Sequence, residues 1–380
     1  MPMITPYHLT FRSGLHVGSR GVDVDEARVI VPADTLFSAL LSTWVQTGHE
    51  AAQFVQPFVT DPPEPPFLLS SAFPFAGDVR FYPAPVNLVD HFSKATVTGR
   101  GKALKRITWV SEVLLGKMLA GDALDEWLFP EDPYEEPDKG VALQGGELWL
   151  TREEVAGLPT AMRRKPDKPE DRPLRALRRL KVLSTQRTPR VSIDRVTNAS
   201  NIFHAGRATF ARGCGLWFGV KWLRPNDAIG NLTYPQIFHH LLTLLADEGL
   251  GGERTYGYGA FMFNQKDAVS LPDPLQHEPA YLLSRYHPRE DELPGVLRGK
   301  GAAYRLESVA GWLYSPNEAG QRRKRLYLLG EGSLITWPGD PAGDVSDVKP
   351  EYDHASQPFP HPVWRYGLAL AAGAKEAHHA

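Results

Sequence analysis

Two amphipathic helix patterns with the same apolar spacing constrain the fold of this 380-residue chain most strongly. The first pattern runs through Leu36, Phe37, Leu40, Leu41, Trp44 and Val45. The second runs through Ile237, Phe238, Leu241, Leu242 and Leu245. Asp34 is the expected N-cap of the first helix, Pro235 opens the second, and Gly48 and Gly249 end them. Each apolar face must be covered by another layer of structure.

Strand patterns flank both helices. Those of the first half are Tyr7–Arg12, Phe67–Phe75 and Val79–Tyr82, the last two forming a hairpin around Gly77-Asp78. Those of the second half are Arg190–Asp194, Arg207–Trp222 and Ala260–Phe263. The order approximates β-α-β-β-α-β, the ferredoxin-like plan, over residues 1–265, with an insertion at about 90–188. The predicted fold class is α+β.

A weaker second unit spans residues 279–380. Its strand patterns are Tyr281–Tyr286, Tyr304–Tyr314, Arg325–Ile335 and Val363–Leu370. The loop Pro338–Pro362 is too polar and proline-rich to fold independently.

Charge is unevenly distributed although the net charge is only −2. Asp122–Asp138 contains eight acids and no base, whereas Arg163–Arg190 contains eleven bases and three acids. Lys94–Lys117 adds six bases against one acid. Two interpretations stay open: an insertion that binds a polyanion, or a solvated and partly disordered surface.

The segment Gly249–Gly259 contains five glycines between a helix end and a strand. Glycines at 251, 252 and 257 permit close approach of the backbone to phosphate, Arg254 adds charge, and Tyr256 adds a stacking face. The alternative is a helix C-cap followed by a bulged turn, which requires only one or two glycines.

Several functional classes are disfavoured. A single cysteine, Cys214, excludes a disulfide framework and thiolate zinc sites, and the adjacent His239-His240 pair points in different directions around a helix. Gly99–Ala103 and Gly295–Gly301 lack Walker spacing. We expect no metal, no cofactor and no membrane partner. No signal-like start and no run of 18 apolar residues occur, so a cytoplasmic location is expected.

Three stretches carry a resemblance to a known family: Phe11–Gly18 leading into Ile30–Leu40, Arg190–Phe203, and the glycine-rich segment. Lys102–Met118 and Val363–Gly367 add to it. The chain resembles the fourth-subunit family of type III-A (Csm) CRISPR effector complexes, which are Cas5-like members of the RAMP superfamily.

This resemblance implies two ferredoxin-like (RRM-like, RAMP) domains, the first with a large β-hairpin thumb insertion and the second degenerate. It implies a non-catalytic subunit that binds the 5′ handle of the crRNA and contacts a large polymerase-like subunit and a backbone RAMP subunit. The implied RNA-binding residues are Arg12, Ser13, His16, Lys94, Arg100, Lys102, Lys105, Arg106, Arg187, Arg190, Arg195, Asn198, Ser200, Asn201, Gly251, Gly252, Arg254, Tyr256 and Gly257. By position, the resemblance places Arg12, Ser13 and His16 beside the glycine-rich segment.

For several of these residues, an ordinary role in the fold remains an alternative to RNA contact. Arg195 could pair with Asp194 or Glu253, Asn198–Asn201 could be a plain turn, and Phe203 and Phe210 are expected in the core.

Two functional alternatives also remain. One is a repeat-processing endoribonuclease, for which His16 with nearby His8 and Arg12 offers a general base but no evident Tyr or Lys partner. We expect His16 instead to be a solvated strand-end histidine. The other alternative is the equivalent subunit of a type III-B complex.

Overall fold

The fold was analysed in a computed structural model that describes residues 3–18, 29–165, 170–193, 200–315, 318–350 and 359–377. The N-terminal elements are β1 (Met3–Phe11), α1 (Ala33–Gln46), α2 (Ala51–Val55), β2 (Phe67–Leu69), β3 (Phe73–Ala76) and β4 (Val79–Pro83). The next are α3 (Lys94–Arg106), β5 (Trp109–Ser111), α4 (Glu112–Ala120), β6 (Gly140–Leu143), β7 (Leu148–Thr151), α5 (Thr160–Arg163) and α6 (Leu174–Leu177).

A second group of elements completes the first half of the fold. It comprises β8 (Leu183–Ile193), β9 (Ser200–Phe210), β10 (Cys214–Trp222), β11 (Ala228–Ile229), β12 (Leu232–Thr233), α7 (Tyr234–Glu248), β13 (Phe261–Gln265) and β14 (Val269–Ser270). The C-terminal unit comprises β15 (Pro279–Leu282), α8 (Gly295–Arg298), β16 (Leu306–Val309), β17 (Trp312–Ser315), β18 (Glu318–Arg322), β19 (Leu326–Leu329), β20 (Leu334–Thr336), β21 (Val345–Asp347), β22 (Trp364–Tyr366) and β23 (Ala371–Gly373). No helix in the described ranges is long and apolar enough to cross a membrane.

The largest sheet has the strand order β13-β1-β10-β3-β4-β5-β7-β6, with β2 also on β10 and β14 also on β1. Every pair is antiparallel except β5–β7. Tyr7 of β1 stacks on Phe218 at 5.4 Å and packs on Phe238 of α7 at 5.5 Å. The apolar faces of α1 and α7 are buried, except that Leu41 is half-buried and Val45 is exposed. Both predicted helices are therefore confirmed.

The expected N-cap of α1 is wrong. Pro32 occupies the N-cap position without a side-chain cap, and Asp34 lies inside the first turn and is fully buried. Its carboxylate faces Arg285 at 3.3 Å and also bonds Arg365, both from the C-terminal unit. The residues around Asp34 favour a helix cap, and they carry no sign of its ion pairs with residues far along the chain.

We call this buried cluster the joint; its members are Asp34, Ser71, Arg285, Glu331 and Arg365. Ser71 donates to Glu331 at 2.6 Å and accepts from the Ala33 amide at 2.9 Å. Burial alone would raise the pKa of Asp34, but the two arginines outweigh burial and hold this pKa below its ordinary value. The joint therefore links the first turn of α1 to the C-terminal unit.

The insertion differs from a simple hairpin. The segment α3 to β7 extends the large sheet through β5, which pairs with β4 and β7. It buries Leu104, Leu114, Leu115 and Trp149, so it shares the main core. The hairpin is formed instead by β8 and β9, paired from Leu183–Phe210 to Ile193–Ser200, and we call it the long hairpin.

Several predicted strands are shorter than expected. Arg207–Trp222 is two strands, β9 and β10, separated by a turn in which Gly213 has φ +79°. Tyr304–Tyr314 and Arg325–Ile335 each divide at a positive-φ glycine, Gly311 and Gly332. The apolar alternation continues across these turns, so the sequence pattern merged neighbouring strands. The loop expected at Pro338–Pro362 contributes β21, which pairs with β22.

Candidate nucleic-acid interface

The glycine-rich segment Gly249–Gly259, here called the glycine loop, joins α7 to β13. Gly249 ends α7 with φ +90°, and a single 3-10 turn spans Arg254–Tyr256. The loop closes on itself where the Leu250 amide donates to the Gly259 carbonyl at 3.0 Å. Five close-set glycines therefore shape a compact loop with its own backbone hydrogen bonds.

The glycine loop packs against residues 13–16 at the end of β1. The Gly252 amide donates to the His16 carbonyl at 2.9 Å, and the Gly259 amide donates to the Gly14 carbonyl at 2.9 Å. Gly251 has φ +85°, and a Cβ there would lie 2.2 Å from the His16 carbonyl oxygen. Only glycine fits this approach. The predicted proximity of Ser13 and His16 to the loop is thereby confirmed.

His16 is buried, so the expectation of a solvated strand-end histidine is wrong. Its Nδ1 lies 2.6 Å from the Gly206 carbonyl oxygen of β9. Leu15 and Ala208 exchange backbone hydrogen bonds at 2.8 and 2.7 Å, which holds β9 beside this segment. The long hairpin covers His16 from one side and Gly252 covers it from the other.

The outer side of the glycine loop is open. Arg254 is exposed, Tyr256 is 66% exposed, and a Cβ built on Gly257 would meet no atom within 4 Å. The Ser13 hydroxyl donates to the Gly257 carbonyl and fixes this corner. Arg12 is half exposed and forms a surface ion pair with Asp247 at 3.3 Å. A guanidinium in such a pair exchanges its partner at little cost.

His8 does not join His16 in an acid–base pair. Its ring packs on Phe75 at 4.2 Å, and neither ring nitrogen has a hydrogen-bond partner among the described residues. Burial, followed by Arg80 and Lys266, lowers the pKa of His8 to about 3. His8 is therefore a neutral core residue at physiological pH.

Helix α3 presents the first basic block. Lys94, Lys102 and Lys105 are exposed. Arg100, at a kink in the helix, donates to the Phe129 carbonyl at 2.8 Å, and Arg106 donates to the Gly145 carbonyl at 3.1 Å. The structure thus gives three solvent-facing lysines and two arginines anchored at the helix surface.

Arg106 also lines a cleft of about 850 Å³ between the end of α3 and the start of β8. We call it the basic cleft. Arg178, Arg179 and Lys181 line it as well, with Ser184 and Thr185 of β8. None of these three cations was chosen from the sequence, although they belong to the recognised basic block Arg163–Arg190.

Four further predicted residues lie along the long hairpin: Arg187, Arg190, Ser200 and Asn201. Arg187 is exposed and pairs across the hairpin with Gly206, the partner of His16. Ser200 is exposed at the start of β9. Arg190 and Asn201 are placed by their backbone in β8 and β9, while Arg195 and Asn198 lie outside the described residues.

Of the two phenylalanines expected in the core, Phe210 stacks on Phe11 at 5.3 Å and is half-buried against the main core. The side chain of Phe203 lies outside the described set.

Comparison with known proteins gives consistent matches. The CRISPR Csm4 C-terminal domain family matches residues 276–374. A Csm4 protein of Thermococcus onnurineus is 24% identical over 350 residues, 91% of this chain and 92% of that protein. One from Mycobacterium tuberculosis is 32% identical over 124 residues, 32% of this chain and 37% of the relative. One from Methanocaldococcus jannaschii is 28% identical over 123 residues, and this match spans only 30% of either protein.

Solved structures match over nearly the full length. A Csm4 chain in a crystal structure of a Csm3–Csm4 subcomplex of a type III-A interference complex has a TM-score of 0.60 and 17% identity, covering 99% of this chain and 100% of that one. A chain in a Csm1–Csm4 cassette bound to cA4 has a TM-score of 0.51 and 16% identity, covering 99% of both chains. Over nearly its whole length the chain shares the fold of chains solved in type III CRISPR complexes. Residues 276–374 match the Csm4 C-terminal domain family, and the chain as a whole is similar to Csm4 proteins.

Proposed function

We propose that this chain is a non-catalytic RNA-binding subunit of a type III-A CRISPR (Csm) effector complex. It binds the 5′ handle of the crRNA and joins the large polymerase-like subunit to the backbone RAMP subunits. Support for the partners comes from similar chains solved as a Csm3–Csm4 subcomplex and as a Csm1–Csm4 cassette.

The proposal includes a fold assignment. The strand order β13-β1-β10-β3, antiparallel throughout, with α1 after β1 and α7 after β10, is that of a ferredoxin-like unit. We assign residues 1–265 to it, with an insertion that extends from about residue 90 into the long hairpin. Residues 279–380 form the degenerate second unit, whose described part has one short helix, α8.

The observation that carries the function is the orientation of the glycine loop. Its inner side is fixed by hydrogen bonds to Gly14 and His16, while Arg254, Tyr256 and Gly257 face outward. A phosphate at Gly257 meets no side chain, Arg254 supplies charge, and Tyr256 supplies a ring for a base to stack on. A loop built only to end a helix does not need an exposed arginine and tyrosine beside an open glycine.

The neighbouring cations extend this surface. Arg12 flanks the loop through the hydrogen bond of its amide to the Ala260 carbonyl at 2.9 Å, and Arg187 lies across the long hairpin from Gly206. Such cations position an RNA backbone, whereas sequence is read at base edges. The proposal assigns base or 2′-hydroxyl contacts to Ser200 and Asn201 of the long hairpin and to Asn198.

The absence of catalysis in the proposal rests on His16 and His8. RNA cleavage requires a base, an acid and a cation that converge on one phosphate. The Nδ1 atom of His16 contacts the Gly206 carbonyl oxygen, and Gly252 packs against the His16 ring. The ring of His8 is buried against Phe75. His16 is only 8% exposed and His8 only 3% exposed, so both rings are withdrawn from the surface that a substrate phosphate would approach.

One experiment tests binding and catalysis together. The full-length chain is incubated with repeat-derived RNA in EDTA, and the RNA is resolved by size and by filter retention. We expect intact, retained RNA, with retention lost in Arg254→Ala and kept in Arg298→Ala, a matched exposed arginine of α8. A handle-sized product would establish a nuclease, and full retention by Arg254→Ala would remove the glycine loop from the RNA site.

A further inference from the structure

The basic cleft has a lining distinct from the glycine loop. Arg106 at the end of α3 lines it, together with Arg178, Arg179 and Lys181 of the segment that enters β8. The buried Trp109 also belongs to the lining.

Positive charge in the cleft exceeds negative charge. Glu147 is the acid in its lining, and its carboxylate accepts a hydrogen bond from Gln144 at 2.7 Å. Burial, followed by Arg106 and Arg100, lowers the pKa of Arg178. These arginines therefore repel one another within the protein, which favours an added anion.

An acidic loop, Pro130–Pro137, lies along one side of the cleft. Arg178 donates to the carbonyls of Pro130 and Glu131 at 3.1 Å each. Glu131 pairs with Arg100 at 3.7 Å, and Glu136 pairs with Arg175 at 2.9 Å. The acidic and basic blocks of the sequence thus meet in space. The carboxylates of Glu131 and Glu136 pair with arginines beside the cleft rather than in its lining, so their negative charge lowers the positive potential near the cleft without filling it.

Strand β8 leads from the cleft to the glycine loop. Ser184 and Thr185 line the cleft, and Arg187 lies opposite Gly206, which contacts His16 beneath the glycine loop. Three residues of strand span about 10 Å. One extended RNA strand is therefore able to follow β8 from the cleft to the RNA site proposed at the glycine loop, which makes RNA the occupant proposed here.

We propose that the basic cleft binds the sugar–phosphate backbone of a single-stranded RNA segment, as a second site beyond the glycine loop, and that the negative charge of the neighbouring acidic loop weakens this binding. The proposal rests on the proposed function only for the choice of RNA as ligand. Binding there is independent of sequence because the cleft supplies cations rather than base-reading groups.

The test compares two Arg-x-Lys pairs of equal charge. Arg179→Ala/Lys181→Ala removes two exposed cations of the cleft, and Arg298→Ala/Lys300→Ala removes two exposed cations of the C-terminal unit. Fluorescein-labelled oligouridine is titrated with full-length protein at several salt concentrations. We expect the cleft variant to bind about tenfold more weakly at low salt, with a log–log salt slope reduced by about 1.4, roughly 0.7 for each lost phosphate contact.

The control pair should match the native protein in affinity and slope. An unchanged slope in the cleft variant overturns the cleft site, and Arg254→Ala measured in parallel separates this failure from failure of the glycine loop. Equal displacement of oligouridine by polyglutamate of matched charge also overturns the choice of RNA.

Substitutions in the acidic loop are expected to strengthen RNA binding rather than weaken it. Glu131→Gln/Glu136→Gln should bind oligouridine about threefold more tightly, because two negative charges beside the cleft are removed. Equal or weaker binding overturns the role of the acidic loop. Melting curves recorded for each variant establish that the compared proteins are folded.

Discussion

Arginines do two different things in this molecule, at the joint and at the basic cleft. At the joint, Arg285 and Arg365 are buried on the carboxylate of Asp34, and Arg285 is also near Glu331 at 3.6 Å. At the cleft, Arg178 donates hydrogen bonds to backbone carbonyls, and Arg179 lies over the Tyr134 ring. The cations in the cleft lining outnumber the acids. Burial with matched charge makes a structural contact, whereas exposure with unmatched charge leaves cations available to an added anion.

The comparison also predicts where mutations separate folding from RNA binding. A buried ion pair contributes through the cost of leaving one partner unpaired, while an exposed cation contributes little to stability. Changes at the joint should therefore alter the free energy of unfolding, and changes at the cleft or glycine loop should alter RNA affinity.

The largest effect is expected for Asp34→Asn. The amide keeps the shape but removes the charge, which leaves Arg365 without its anion and Arg285 with Glu331 alone. We expect the free energy of unfolding to fall by about 3–5 kcal/mol in urea denaturation. The matched control is Asp247→Asn, which breaks the surface pair with Arg12 and should cost less than about 1 kcal/mol. Equal losses in both variants would contradict the distinction.

The pH dependence sharpens the same contrast. Because the pKa of Asp34 is lowered in the folded protein, its stabilising contribution is fully present above the ordinary carboxyl pKa. That contribution is lost as the pH falls through the lower, folded-state pKa. Chemical denaturation of native protein should show a steeper acid loss than Asp34→Asn. If the free energies of unfolding of the two proteins fall in parallel with decreasing pH, the pKa of Asp34 is the same in the folded and unfolded states, which would contradict this prediction.

An intermediate effect is expected for Gly252→Val in the glycine loop. Gly252 does not have a positive φ, but a Cβ there would lie 2.9 Å from His16 Cδ2. The added side chain must therefore displace a buried ring, at about 1–3 kcal/mol. Thermal melts should show the loss, accompanied by weaker RNA retention. A native melting temperature would mean that His16 moves freely.

The smallest effect on stability is expected for Lys102→Ala/Lys105→Ala/Arg106→Ala on α3. Two exposed lysines and one surface arginine contribute within about 0.5 kcal/mol to folding. RNA binding should weaken for all sequences, with the log–log salt slope reduced by about 2. Melting curves of the triple variant check the predicted stability, and salt titrations check the predicted slope of RNA binding. An unchanged slope would identify this block as a solvated face.

Local patterns predicted the parts of the fold that depend on nearby residues. Helices α1 and α7 follow from apolar spacing, and the approach of the glycine loop to Ser13 and His16 follows from the β-α-β-β-α-β order. Asp34 bonds partners 251 and 331 positions away, and His16 bonds one 190 positions away. No local pattern encodes those separations, so the joint and the burial of His16 were missed.

The basic cleft was predicted in part. The sequence identified the block Arg163–Arg190 and the acidic stretch Asp122–Asp138, but not that one packs on the other. Which of the basic side chains stay available depends on the path of the acidic loop, and this path depends on Glu131 and Glu136 finding their arginines.

Ultraviolet crosslinking within the reconstituted effector complex tests the central claim most directly. Guide RNA carrying photoreactive uridines in its 5′ handle is crosslinked, and the attached peptides of this chain are identified by mass spectrometry. We predict crosslinks in the peptide that contains Tyr256, lost in Tyr256→Ala, with the joint peptide around Arg285 unlabelled. Handle crosslinks confined to the C-terminal unit, with none at the glycine loop, would contradict the account.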